Sequence, residues 1–313
     1  MTSGPNRCTA VVVHYRGARD TILCVRSLLD HAPGVAILVV DNASPDGSGA
    51  RVAREFEREP LVSIVRSPAN GGFGAGANLG IERALAATRD LFAVLLLNPD
   101  ARVLPGAVEN MLDVAKRHER AGIVGCRIRR ADARGDWFQN GRFPRFSLSR
   151  FHCQPPRGRI EFQAEFVSGC AMLLMADLLR AGLRFHEPFF LYGEDADLCR
   201  QVVARGREIW VTLRAVVTHE GGGSQRGEEV LPDTTAAQLY WQTRAKVLLA
   251  ARQLRPLQRA TFLFAAAVLK PLAGVLLFRR ISFLRPYFSG LRAGLGERSR
   301  PSPGPGPGVR LPR

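Results

Sequence analysis

Residues 8–15 read CTAVVVHY, a short β-branched run, and Ile22, Val25, Leu28 and Leu29 follow it at helical spacing. The same succession of apolar run and amphipathic stretch recurs down the chain. Residues 35–40 form the next apolar run, ending at Asp41; 48–57 reads as a helix, 61–65 as a strand and 75–87 as a helix. Residues 91–97 (LFAVLLL) are wholly apolar, which suits a strand covered on both faces. Residues 105–120 make a helix with Pro105 near its first turn, and 122–128 another strand. This alternation predicts an α/β fold with a doubly wound parallel sheet, whose ligand site lies at the carboxyl ends of its strands.

The regularity breaks at 129–163, an excursion rich in Arg, Gly, Pro and Phe with Trp137 inside it. Long loops in compact domains are often functional. Residues 166–175 (FVSGCAMLLM) restore a buried strand, 194–204 a helix, 208–217 one or two strands, and 234–253 a helix. Residues 260–278 are apolar but carry Lys270 and Pro271 near the middle. A central lysine costs about 2.5–3.5 kcal/mol on insertion scales. Helices lying at a membrane interface are therefore expected rather than a spanning segment, with a helical hairpin packed on the body as the competing reading. The last residues, SRPSPGPGPGVRLPR, have the composition of a disordered Pro/Gly tail. The expected organisation is a domain over 1–228, a basic, apolar helical extension over 229–298, and the tail over 299–313.

Charge sharpens that division. The 313 residues carry a net charge of +16, but from Arg244 onward there are 14 basic residues against one acid, Glu297, so +13 of the charge sits at one end. Only three of the basic residues are lysines, and an arginine-rich coding bias accounts for part of the count. Bias alone does not remove acids from one end, so the extension is read as facing an anionic lipid surface. No helix-turn-helix, zinc-finger or RNP-type signature accompanies the charge, so nucleic acid is not the expected partner. The six cysteines (8, 24, 126, 153, 170 and 199) include no C-x-x-C pair. With an N-terminus lacking the apolar core of a secretory signal, they point to a reduced, cytoplasmic compartment.

The chemistry gathers at strand ends: Asp41-Asn42, Asn98-Pro99-Asp100, and His219 after VTLRAVVT. A carboxylate there is an acceptor-only group placed to take ribose hydroxyls, base edges or a hard cation, although DNASPDGSG is also an ordinary turn sequence. Asp100 is placed to hold a divalent cation bridging a diphosphate, while Asn98 reaches a ribose or phosphate. His219 supplies either a nitrogen ligand for Mn2+ or a donor to phosphate, unless it is simply structural. NGGFGAGANLG, residues 70–80, has five glycines that let backbone approach a ligand, and residues 72–77 match the dinucleotide fingerprint G-x-G-x-x-A. SPAN intervenes after Arg66, and the fingerprint should instead open the helix directly after the first strand. A nicotinamide-dependent oxidoreductase is therefore the second enzyme reading. Glu194, Asp195 and Asp197 head a helix behind the aromatic run FFLYG. Acids there are favoured by the helix dipole, and an acid beside an apolar wall is also where a general base would be tuned.

In this order, VVVHYR, ILVVDNASPDGS, NGGFGAGANLGI, VLLLNPDA, FVSGCAMLLM, FFLYGEDADLCRQ and VVTHEGGGS resemble the family 2 glycosyltransferases of GT-A fold, particularly their bacterial rhamnosyltransferase-like branch. The resemblance implies a Rossmann-like, mostly parallel sheet with flanking helices. It also implies an inverting transfer of a sugar, rhamnose in that branch, from a dTDP- or UDP-linked donor to a hydroxyl of a cell-envelope glycan or lipid-linked acceptor. The work would be done in the cytoplasm at the inner face of the membrane. Donor contacts fall on Val13, His14, Tyr15, Asp41, Asn70, Gly71, Gly72 and Asn98. Asp100 stands for the last position of the D-x-D motif and, with His219, is assigned to Mg2+ or Mn2+. Asp195 of the Glu194-Asp195 pair is assigned as general base. Asn98 replaces the first acid of D-x-D, His14 stands where Tyr is frequent, and Ala77 stands where an Asn pair is common. A protein that kept the fold and binds sugar nucleotides without catalysis is the reading from another class; Asp100, Asp195 and His219 together speak against it.

Overall fold

The structure, a computed structural model, describes residues 7–132, 135–143, 151–220, 229–231 and 234–297. The chain divides into two compact units, Met1–Ser224 and Gln225–Arg313. The division falls within residues 221–228, which lie outside the described residues, as do the Gly221–Gly223 loop and the tail expected over 299–313.

The first unit runs β1 (Cys8–His14), α1 (Ala18–His31), β2 (Ala36–Asp41), α2 (Ser48–Glu55), β3 (Val62–Arg66), α3 (Gly72–Ala87), β4 (Ala93–Leu97), β5 (Ala101–Val103), α4 (Ala107–Arg117) and β6 (Ala121–Arg130). Four short strands follow: β7 (Asp136–Phe138), β8 (Asn140–Arg142), β9 (Phe151–Cys153) and β10 (Glu161–Ala164). Then come β11 (Ala171–Met175), α5 (Ala176–Arg180), α6 (Glu194–Ala204) and β12 (Glu208–His219). The main sheet has the order β10-β12-β6-β11-β4-β1-β2-β3, with β5 and β7 attached to β12 and β6.

Strand β1 shows how the sheet is covered. Val11 and Val13 point at α3, where a Cβ on Gly80 would lie 2.3 Å from Val11 and one on Gly76 2.6 Å from Val13. His14, on the alternate face, reaches Thr21 of α1 and Ser48 of α2. Side-chain alternation along one strand thus places helices on both faces, and every residue of β1 is buried. The glycines of α3 allow close packing on both sides: Gly76 and Gly80 on β1, Gly74 on Phe185 and Gly72 on the Phe190 backbone, the last two in the segment between α5 and α6. That packing accounts for the G-x-G-x-x-A match without a dinucleotide.

The sheet is mostly parallel, but β11 runs antiparallel to both β4 and β6. Three expected boundaries move. Helix α3 begins at Gly72 rather than Ala75, β11 spans only five residues because 166–170 is a connecting segment, and 208–219 is one irregular strand with a register shift after Thr212.

The second unit holds β13 (Glu229–Leu231), β14 (Thr234–Thr235), α7 (Ala236–Gln253), α8 (Pro256–Phe264), a π-turn (Ala265–Leu269), α9 (Lys270–Phe278) and α10 (Leu284–Glu297). Thr235 caps α7 in a reciprocal box with Gln238. Gly290 and Gly294 let α10 pack closely on α7, where a Cβ would meet the Tyr240 carbonyl oxygen at 2.4 Å and Val247 at 2.7 Å. From Pro256 to Phe278 the chain is one continuous helix of 23 residues with a mean hydropathy of 2.0 in its most apolar window, so by length and composition it is able to cross a membrane. Lys270 and Pro271 lie inside it without ending it. The wider π-turn sits where a proline ring would otherwise crowd the preceding turn.

Candidate active site

Because β1, β2 and β4 are parallel and β11 is antiparallel to β4, the ends of the first three and the start of β11 share one edge of the sheet. The end of β12, parallel to β6, lies on the same edge. Each strand-end polar group named from the sequence falls there.

At the β1–β2 end, Asp41 pairs in register with His14 and is nearly fully buried. Its Oδ1 accepts the Ser44 backbone N–H at 2.9 Å, and its Oδ2 lies 3.7 Å from Arg66 Nε. The carboxylate rests against the first turn of α2, where a Cβ on Gly49 would come within 2.1 Å of it. A helix N-terminus favours the negative charge, and Gly49 leaves the room for it, which turn composition alone concealed.

His14 does not face outward. Its ring is fully buried, with Nδ1 2.7 Å from Thr21 Oγ1 and Nε2 3.0 Å from Ser48 Oγ. Burial lowers its pKa from the ordinary histidine value, against the pull of Asp41 and Asp46. The expected donor contact by this side chain is therefore replaced by a bracing role between α1 and α2. Val13 is likewise turned into the packing of α3, which leaves Tyr15, about one-third exposed, as the surface group of the three.

Asn70, Gly71 and Gly72 form the turn into α3. Asn70 Oδ1 accepts from the Gly72 N–H and from Asn42 Nδ2, both at 3.0 Å, and Asn42 Nδ2 also donates to the Gly72 carbonyl at 3.0 Å. Asn42 thus ties β2 to this turn, while its own buried Oδ1 has no hydrogen-bond partner among the described residues. Gly72 has φ +85°, and Phe73 donates its N–H to the Phe190 carbonyl at 3.2 Å. The turn is thereby fastened to the segment that leads into α6.

That segment enters α6 through Tyr192 and Gly193, both at positive φ. Glu194, Asp195 and Asp197 are all buried at the helix N-terminus. Asp195 Oδ2 accepts the Gly169 N–H at 3.3 Å and Oδ1 the Ala196 N–H at 2.8 Å. One residue beyond Gly169, the Cys170 carbonyl takes the Asn98 N–H at 2.8 Å. Asp195 and the Asn98-Pro99-Asp100 strand end are therefore joined by a single short backbone segment. Burial keeps the neighbouring Cys24, Cys126 and Cys170 thiols protonated, so they offer no nucleophile.

Asp100 immediately precedes β5, whose antiparallel pairing sets Ala101 opposite His219 of β12. His219 Nε2 comes 3.0 Å from Asp100 Oδ1. Neither buried ring nitrogen makes an aligned hydrogen bond among the described residues. Two donor atoms about 3.0 Å apart without hydrogen-bond alignment match adjacent ligands on one octahedral cation at about 2.1 Å. The pair thus fits a divalent cation. The described residues contain no cluster of three His, Cys, Asp or Glu side chains, so substrate oxygens and water would have to complete the shell. Trp137 of β7 lies over the His219 ring at 4.7 Å between centroids, a contact that sequence spacing did not reveal because β7 belongs to the irregular excursion.

Comparison with known proteins identifies the family. Residues 9–183 match the model of the family described as glycosyl transferase family 2. The chain is 26% identical over 231 residues, 66% of its length and 73% of the relative's, to an N-acetylglucosaminyl-diphospho-decaprenol L-rhamnosyltransferase of Mycobacterium tuberculosis. Among solved structures, residues 1-349 of S. aureus TarS superpose with a TM-score of 0.57 at 13% identity, covering 93% of this chain and 81% of that one. GalNAc-T7 with UDP, GalNAc and Mn2+ gives 0.59 at 13%, covering 80% of this chain, which spans about half (51%) of that protein. A match over more than half of the chain, on a GT-A sheet, is decisive: the chain belongs to glycosyl transferase family 2 and is a glycosyltransferase.

Proposed function

We propose that the enzyme transfers L-rhamnose, with inversion, from a dTDP- or UDP-linked donor to a hydroxyl of a lipid-linked glycan of the cell envelope, at the cytoplasmic face of the membrane. The observation that carries this reading is the joining of Asp195 to the Asn98–Asp100 strand end through Gly169 and Cys170. The rhamnosyltransferase relative supports the sugar and the lipid-linked acceptor.

In this reading the nucleoside lies along Tyr15, Asp41 and the turn Asn70-Gly71-Gly72, with the backbone of Val13 and His14 closing the end of β1. Asn98 offers its side-chain amide to the ribose or diphosphate. Asp100 and His219 hold Mg2+ or Mn2+, which when bound neutralises the charge developing on the leaving nucleoside diphosphate. Asp195 accepts the proton of the attacking hydroxyl as the new glycosidic bond forms at the anomeric carbon and the bond to the diphosphate breaks on the opposite face. Gly169 and Ala196 fix both oxygens of Asp195, so its orientation is set before substrate arrives. Glu194 adds a second buried carboxylate to the same helix end.

The test is a panel of nucleotide sugars, each with and without Mn2+ or Mg2+, read by thermal shift and by transfer to a polyprenyl-diphosphate N-acetylglucosamine acceptor. The reading expects stabilisation by dTDP- or UDP-rhamnose and a product of inverted anomeric configuration by NMR. A retained configuration, or stabilisation by NAD(P) alone, overturns it.

A further inference from the structure

Helix Pro256–Phe278 leaves a broad apolar face exposed, a row of Leu257, Phe264, Val268, Leu272 and Leu276 flanked by Leu269 and Leu277, with Leu257 80% and Leu276 69% exposed. Its other side is occupied within the same unit. Ala266, Pro271 and Gly274 are buried, Tyr287 Oη donates to the Ala266 carbonyl at 2.7 Å, and Phe283 stands where a Cβ on Gly274 would be, 2.6 Å away.

The π-turn makes the exposed row straight. Phe264, Val268, Leu272 and Leu276 are spaced by four, so in an uninterrupted α-helix the row would wind about 120° round the axis. One extra residue in the turn at Ala265–Leu269 takes back about 100° of that. The helix is thus re-registered to align side chains that stay largely exposed in their own unit. Alignment of this kind serves a flat apolar partner.

Charge names the partner. Residues 244–297 contain ten Arg and Lys against one acid, Glu297, which Arg244 already pairs at 3.3 Å. Arg252 and Arg255 are exposed at one end of the helix, Arg279 and Arg280 at the other. We infer that this face docks on an anionic lipid bilayer, the helix lying in the plane of the interface with its row in the acyl region and the terminal arginines among the headgroups. Spanning is disfavoured because it would carry Lys270, within the helix, and Arg292, within α10 packed on it, into hydrocarbon at about 2.5–3.5 kcal/mol each. The inference deepens the membrane placement proposed above and rests on it, but is independent of donor and acceptor identity.

The experiment floats the full-length protein with phosphatidylglycerol–phosphatidylcholine vesicles and with pure phosphatidylcholine vesicles. The triple variant Phe264→Ser, Leu272→Ser, Leu276→Ser and the single variant Leu276→Ser follow, each checked for an unchanged melting temperature. The expected result is binding to the anionic vesicles, release by alkaline carbonate, and partitioning weakened about tenfold or more in the triple variant. A triple variant that fails its melting check leaves the exposed Leu276→Ser change to carry the comparison, expected to bind more weakly than wild type. Wild-type binding with undiminished binding by the folded variants overturns the docking face alone. Resistance to carbonate overturns the in-plane arrangement, and absence of wild-type binding to either vesicle overturns the membrane placement itself. A lipid-free dimer that the substitutions dissociate, with no vesicle binding by either form, assigns the row to a second copy and overturns the inference.

Discussion

Asp195 Oδ2 accepts the backbone N–H of Gly169 at 3.3 Å, one residue before the carbonyl that receives the Asn98 N–H. The two carboxylate-bearing stretches, almost a hundred residues apart in sequence, therefore meet across the start of β11. A Cβ on Gly169 would lie 3.3 Å from Asp195 Cβ and 3.8 Å from Phe73, so the segment's lack of a side chain keeps this approach close.

The Asp100–His219 pair predicts cation-linked nucleotide binding. A nucleoside diphosphate (UDP or dTDP) with Mn2+ should raise the melting temperature more than the nucleotide alone. That increment should vanish on chelation and in Asp100→Ala, and fall in His219→Ala, with transfer reduced about 10- to 100-fold or more in each. An unchanged Mn2+ increment in Asp100→Ala would remove Asp100 from the cation.

Gly72→Ala tests the fastening of the turn to the segment before α6. Gly72 has φ +85°, and its added Cβ would fall 2.2 Å from the Phe190 carbonyl oxygen. Backbone strain and overpacking each cost about 1–3 kcal/mol. Urea unfolding should show a loss of at least about 2 kcal/mol; a change within about 0.5 kcal/mol would mean that the turn yields freely.

His14 makes part of the stability depend on pH. Burial holds its pKa below the ordinary 6.5, so the unfolded chain binds the proton more readily. Its contribution is fully present above about pH 6.5 and is lost as pH falls from there through the lowered native value. In His14→Ala the Thr21 and Ser48 hydroxyls lose their partner, which should cost about 2–4 kcal/mol at neutral pH. The difference in stability between wild type and variant should shrink on acidification between about pH 6.5 and 5. A constant difference would mean that the imidazole takes up its proton in the folded chain no less readily than in the unfolded one.

Strands whose residues are buried throughout, such as β1 and β4, were legible because nothing but a covered strand explains CTAVVVH or AVLLL. So were the strand-end polar groups, which stand out at the boundary of each apolar run. The direction of β11 was not, since a short buried strand has no sequence mark for parallel or antiparallel pairing. The early start of α3 was hidden because glycine is a poor helix former, and only tertiary packing against Val13, Phe185 and Phe190 explains Gly72, Gly74 and Gly76. The inward turn of His14 and the cover of His219 by Trp137 depend on partners 7 to 82 positions away, which periodicity does not report.

Asp195→Asn tests the central claim most directly, because the amide keeps size and shape while losing the ability to take a proton. Transfer should fall by about 10²-fold or more, while calorimetry with the nucleotide-sugar donor and Mn2+ gives wild-type affinity. Undiminished turnover in the folded variant would contradict the account.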